Sequence, residues 1–148
     1  MQIRIHVPSQ TLDLLEGETL LRRYVISTSR FGLGEEPGSN KTPTGRFRVG
    51  EKIGDQAPPG EIFVGREPTG RLGREEDDHD HVQTRIFWLE GLDPHNANTR
   101  DRYIYIHGTN AESQLGTPAS MGCVRMSNAD AIDLYGQIEA GIPVEILG

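Results

Sequence analysis

The sequence predicts a mostly β domain with one main α-helix, placed after Cys123. Three observations carry this. Short runs of alternating apolar and polar residues recur along the chain, as in Gln2-Ile3-Arg4-Ile5-His6-Val7. The 148 residues include 18 glycines and 9 prolines, enough for frequent tight turns and too few for a disordered chain. Only one segment combines a capping residue with helical periodicity, and it begins at Ser127.

In chain order, the first strand ends at the turn Val7-Pro8-Ser9-Gln10. Thr11–Leu15 forms a second strand, closed by Glu16-Gly17-Glu18, and Thr19–Ser27 a third, rich in β-forming residues. Phe31 to Asn40 reads as loop from its glycines and proline, and Thr42-Pro43-Thr44-Gly45 as a turn before the strand Arg46–Val49. Asp55 to Gly60 and the charged stretch Arg66 to His81 read as solvated loops, the latter long enough to suggest a lid. Ile86–Leu89 and Tyr103–Ile106 are apolar enough for buried strands. Ser127 and Asp130 have capping-box spacing. Ala131, Ile132, Leu134, Tyr135 and Ile138 supply the apolar face, with Gly141 as the C′ stop and Pro143 beyond it. Val144–Leu147 closes the chain as a strand, and residues 1–148 read as a single domain.

Composition excludes several functions. Acidic residues outnumber basic ones 22 to 15, for a net charge of −7, and no Lys/Arg cluster marks a nucleic-acid partner. No window approaches the ~18 apolar residues of a membrane span. One cysteine allows no intrachain disulfide. No basic segment with an apolar stretch behind it opens the chain. The expected compartment is therefore the cytoplasm, or the periplasm or exterior if a leader preceded Met1.

The segment richest in chemistry runs from Tyr103 to Ser127. His107 ends an apolar strand, and Cys123 follows sixteen positions later, just before the capped helix. A free thiol is only a few per cent ionised at neutral pH, and a neighbouring imidazole can activate it. Gly122 leaves the backbone uncrowded, so its N–H and that of Cys123 are candidate donors to a developing oxyanion. Taken alone, a single cysteine is more often a small buried hydrophobe. A second arrangement, His79-Asp80-His81 with Asp77 and Asp78, suggests a metal-dependent hydrolase.

The elements His107-Gly108-Thr109 and Ser120-Met121-Gly122-Cys123-Val124-Arg125 resemble the signature of the YkuD-like L,D-transpeptidase catalytic domain. Val7–Leu12, Ser27-Thr28 and Thr42-Pro43-Thr44-Gly45-Arg46-Phe47 resemble other elements of that family, in the same order. The resemblance implies a β-sandwich-like catalytic fold that needs no cofactor and no metal. It implies acyl transfer on a peptidoglycan stem peptide or muropeptide, with Cys123 as nucleophile and His107 as base. Gly108 would orient the imidazole through its carbonyl, and Gly122 would help form the oxyanion hole. Arg125, Ser120 and Asn110 are the candidate substrate-binding residues, Arg125 serving either a substrate carboxylate or the cysteine loop, with structural turn roles the stronger reading for Ser120 and Asn110. Many family members carry His where this chain has Met121, which weighs against transfer to an amine. Hydrolysis of a tetrapeptide, as an L,D-carboxypeptidase, is therefore the expected reaction, with 3→3 cross-linking as the alternative. A non-catalytic wall-binding module would need neither His107 nor Cys123.

Overall fold

Ten strands, one α-helix and two short 3₁₀ turns make up the computed structural model, which describes residues 1–148. The strands are β1 (Gln2–His6), β2 (Thr11–Glu16), β3 (Thr19–Ser27), β4 (Gly45–Ile53), β5 (Glu61–Val64), β6 (Glu67–Leu72), β7 (Val82–Gly91), β8 (Tyr105–Gly108), β9 (Val124–Met126) and β10 (Pro143–Leu147). The helix α1 spans Asn128–Gln137. The sheet order is β4-β10-β1-β2-β3-β9-β8-β7, and β7 pairs back onto β4. The mostly β fold with one helix is therefore as expected, and its sheet closes on itself as a barrel. The hairpin β5–β6 extends from β7 outside that ring.

Alternation along the strands sorts the side chains into two apolar groups. Ile3, Ile5, Leu12, Phe47, Phe87, Leu89, Ile106, Val124 and Met126 belong to the main core, under α1. The opposite faces of β7 and β8 carry a smaller cluster of Ile86, Trp88 and Tyr105, joined by Phe63 of β5, with Cys123 packed against it. The site rests on this second face. Ser127 caps α1 by accepting the Asp130 N–H at 3.0 Å. Ala131, Leu134 and Ile138 are buried, while Ile132 and Tyr135 are only partly covered.

Several boundaries depart from the sequence reading. The Arg66–His81 stretch is not all loop: Glu67–Leu72 forms β6, paired with the unanticipated strand β5. Gly141 is not the C′ residue, because the helix ends at Gln137 and Ile138 is already extended, with φ −125° and ψ 160°. Tyr103 lies outside β8, in a left-handed turn with φ +57°. Val124–Met126, read as the approach to the helix, is a strand parallel to β8. No helix is long and apolar enough to cross a membrane.

Candidate active site

The parallel pairing of β8 and β9 sets His107 directly beside Arg125 and Ile106 beside Val124. Cys123, one residue before β9, therefore lies beside Tyr105. Successive side chains alternate, so Tyr105, His107, Cys123 and Arg125 share the face opposite the main core. The sequence separates His107 from Cys123 by a long loop; the sheet returns them one step apart on neighbouring strands.

The sulfur sits between two backbone groups. Its Sγ accepts the Tyr105 N–H at 3.3 Å and donates towards the Tyr103 carbonyl at 3.5 Å. Burial pushes the thiol up to about 11, and the nearby Asp80 charge pushes the same way. The Tyr105 N–H, Arg102 and Arg125 only partly offset this. Cys123 is thus a neutral thiol at rest.

His107 is 2% exposed. Its Nδ1 lies 2.6 Å from the Gly108 carbonyl oxygen, and a carbonyl can only accept. Nδ1 therefore carries the proton, and the lone pair is on Nε2, which bonds to no other protein group. Burial holds the imidazole below its ordinary value of 6.5, so it is neutral near pH 7. Asp80 and the Gly108 carbonyl act in the opposite direction, and Arg125 adds to the lowering. A neutral base with an available lone pair beside a neutral thiol is suited to moving a proton during attack.

Gly108 has no space for a side chain. A Cβ there would meet the Gln83 carbonyl oxygen at 2.7 Å and Asn128 Oδ1 at 2.8 Å. Asn128 in turn accepts from Gln83 Nε2 and Thr84 Oγ1 and donates to the Thr109 carbonyl, so the start of α1 braces the strand bearing His107.

The two candidate oxyanion donors differ in their partners. The Gly122 N–H is engaged by Ser120 Oγ at 3.3 Å, whereas the Cys123 N–H donates to no protein group. Gly122 has φ +125°, a conformation strained for any other residue, and its carbonyl accepts from Thr42 Oγ1 at 3.0 Å. That contact gives the Thr42-Pro43-Thr44-Gly45 element its place in the site.

The three residues expected to meet substrate are occupied within the protein. Ser120 is buried and donates to the Cys123 carbonyl at 2.6 Å, bracing the cysteine turn. Asn110 donates to the carbonyls of Arg74 and His79 and accepts the His81 N–H at 2.9 Å, pinning the acidic loop. Arg125 is 2% exposed; its Nη1 pairs with Asp80 at 3.0 Å and its Nη2 with Gln114 at 2.9 Å. Its charged partner is a side-chain carboxylate of the acidic loop, not the backbone carbonyl that the cysteine-loop reading expected. The Asn110 contacts and the Arg125–Asp80 pair join segments far apart in the chain and so leave no local sign in the sequence, whereas the Ser120 contact spans only three residues.

The loop Gly73–His81 is therefore tied to the strand and turn that flank the site, through Arg125 and Asn110. Asp80 also accepts from Thr109 Oγ1, and Glu75 binds the backbone N–H and hydroxyl of Ser113. A cleft of about 390 Å³ opens beside it, lined by Arg30, Glu75, Asp77, Asp78, Met121 and Arg125 among others. Within the loop His81 bonds Asp77 at 3.1 Å while Asp80 faces Arg125, and no three His, Cys, Asp or Glu side chains converge as metal ligands would.

Residues 1–146 match the YkuD family, described as the L,D-transpeptidase catalytic domain. A curated L,D-transpeptidase candidate, YkuD of Bacillus subtilis, is 32% identical over 98 residues, covering 64% of this chain and 48% of the relative. Its counterpart in Bacillus licheniformis is 33% identical over 98 residues, covering 64% and 47%. This chain thus spans about half the length of the curated relatives it matches. Among solved structures, an L,D-transpeptidase from Xylanimonas cellulosilytica aligns with a TM-score of 0.62 at 21% identity, over 99% of this chain and 59% of that one. One from Mycobacterium smegmatis aligns with a TM-score of 0.62 at 16% identity, over 99% and 58%. At such identities these structures speak for the fold. The family match over nearly the whole chain goes further, and the chain belongs to the YkuD family of L,D-transpeptidase catalytic domains.

Proposed function

We propose that this chain cleaves the amide bond between the L-centre of a diamino acid and the terminal D-alanine of a peptidoglycan stem tetrapeptide. The observation that carries this reading is the tautomer of His107. Its Nδ1–H is held by the Gly108 carbonyl, which leaves the Nε2 lone pair on the face that bears Cys123.

The steps follow from the resting charges. Cys123 Sγ attacks the scissile carbonyl as its proton passes to His107 Nε2, so no thiolate need accumulate first. The tetrahedral oxyanion takes the unengaged Cys123 N–H; one such donor is typically worth about 2.7–4 kcal/mol. The Gly108 carbonyl and the Asp80 charge favour the imidazolium while it lasts. That proton then goes to the nitrogen of the departing D-alanine, the C–N bond breaks, and a thioester remains on Cys123. Water, deprotonated by His107, releases the tripeptide and frees the thiol.

Water is the favoured acceptor because Met121, 50% exposed beside the cysteine turn, can neither take nor give a proton. One observation favours an amine instead. Glu75, Asp77 and Asp78 line the cleft next to Met121 and would draw in a cationic side chain from a second stem peptide. Hydrolysis fits free muropeptides, as in cytoplasmic recycling; amine transfer fits polymeric wall outside the cell.

Intact-protein mass after exposure to a tetrapeptide tests the reading. The expected result is a tripeptidyl adduct, absent in Cys123→Ala, with D-alanine released. No adduct and no D-alanine would overturn it. Tripeptide as the product supports hydrolysis, and a 3→3 linked dimer formed with added acceptor supports transfer.

A further inference from the structure

The hairpin β5–β6 turns on two residues, Gly65 and Arg66, both left-handed, with φ +56° and +68°. Two-residue turns of this kind favour Gly, Asn or Asp, and arginine is an unusual occupant. Its side chain folds back over the sheet. The guanidinium carbon lies 4.6 Å from the centre of the Trp88 ring and 5.3 Å from that of Tyr103, and Nη1 donates to the Tyr105 hydroxyl at 3.2 Å. Both tyrosines also hold the sulfur, Tyr105 through its N–H and Tyr103 through its carbonyl. Arg66 is therefore linked to Cys123 through the two tyrosines that both residues contact.

Its charge has no partner. Arg66 forms no ion pair with any carboxylate, and Glu51, the acidic residue that bears on its charge, is engaged by Arg100. Arg125, by contrast, is committed to Asp80 and Gln114. The chain carries a net charge of −7, yet a half-buried cation without a carboxylate partner is held against the two tyrosines that contact the sulfur, one of them the 55% exposed Tyr103.

We infer that Arg66 is a specificity-determining residue that binds the free carboxylate of the terminal D-amino acid as the scissile carbonyl meets Cys123. The inference rests on the reaction proposed above. In such a substrate the terminal carboxylate carbon is three bonds beyond the carbonyl carbon under attack, so its reader must stand about one residue from Sγ. Arg66 is bonded to the side chain of Tyr105, whose N–H holds the sulfur, and its planar fork suits a carboxylate. The enzyme thereby selects chain ends over internal bonds.

Two tetrapeptides decide the matter, one ending in a free carboxylate and one in a carboxamide. The intact chain should prefer the acid by about 10–100-fold in kcat/KM, the range for losing a hydrogen-bonded charge contact. Arg66→Met should remove that preference, mainly through KM on the acid, and Arg66→Lys should restore part of it. A purely structural role would depress both substrates alike and gain nothing from lysine. Equal turnover of acid and amide by the unaltered protein would overturn the inference, whatever the variants do. Failure of both peptides to acylate Cys123 would instead overturn the reaction on which it rests.

Discussion

Asp80 Oδ2 lies 3.0 Å from Nη1 of Arg125, joining the acidic loop to the strand that follows the cysteine. Arg125 is 2% exposed, whereas the Asp80 side chain is 34% exposed. One member of the pair is fixed in the protein interior and the other can leave. Both act on His107 through space and in opposite senses, Asp80 favouring the imidazolium and Arg125 opposing it.

Replacing either member should therefore move the acid limb of activity in opposite directions. In Asp80→Asn the imidazolium loses a favourable charge, the base stays neutral further into acid, and the limb moves to lower pH. In Arg125→Gln an unfavourable charge is gone and the limb moves to higher pH. Profiles of kcat/KM against pH for both variants check this, and shifts of the same sign would contradict it. Asp80→Asn should also cost about 1.5–3 kcal/mol in denaturant unfolding, because a buried guanidinium loses its charged partner.

The thiol itself should titrate late. Alkylation of Cys123 by iodoacetamide requires the thiolate, and burial pushes that group up to about 11. The rate should keep climbing through pH 9 and 10, without a plateau. Catalysis should be level over the neutral range, because the neutral imidazole is the form that acts, and should fall only as pH drops through the lowered value of His107. An alkylation midpoint near the ordinary cysteine value would contradict the neutral-pair description.

Gly108→Ala tests the carbonyl that orients the imidazole. The added methyl would meet the Gln83 backbone at 2.7 Å, and strand β7 cannot yield as a flexible side chain would. About 1–3 kcal/mol of stability should be lost to overpacking. Because the carbonyl moves with its strand, kcat should fall while KM holds. Thermal unfolding and steady-state kinetics separate the two effects.

Asn110→Ala should free the acidic loop without touching the nucleophile. Three hydrogen bonds to residues 74–81 disappear together. Hydrogen exchange should accelerate across that loop and remain slow in β8. Exchange unchanged in the loop would mean that Glu75 and Asp80 suffice to hold it.

Much of this was legible in the sequence, for identifiable reasons. Strands with one buried face alternate visibly, as Ile3 and Ile5 do in β1, and Ser127 announces the helix. The cysteine–histidine pair was singled out through the likeness of its flanking residues to a family signature, because a single cysteine by itself reads as a small buried hydrophobe. The hairpin was not legible. Strand β6 is an outer edge, and its Pro68, Gly70 and charged residues guard an unpaired edge, the same residue types that mark a loop. Asn110, Ser120 and Arg125 were singled out in the sequence, but the partners of Asn110 and Arg125 on the acidic loop were not. A polar side chain at a loop carries no local sign of whether it faces substrate or another loop, and here the second loop lies about thirty residues upstream of Asn110.

The protonated resting state of Cys123 also bears on how long the protein survives. Peroxides and adventitious electrophiles react with thiolates, so a sulfur that holds its proton at physiological pH resists slow oxidation to sulfenic and sulfinic acids. The chain has one cysteine and no neighbouring thiol to rescue an oxidised one. In the mechanism proposed above, ionisation is coupled to the arrival of an acyl carbonyl, which would confine the sulfur's reactivity to turnover.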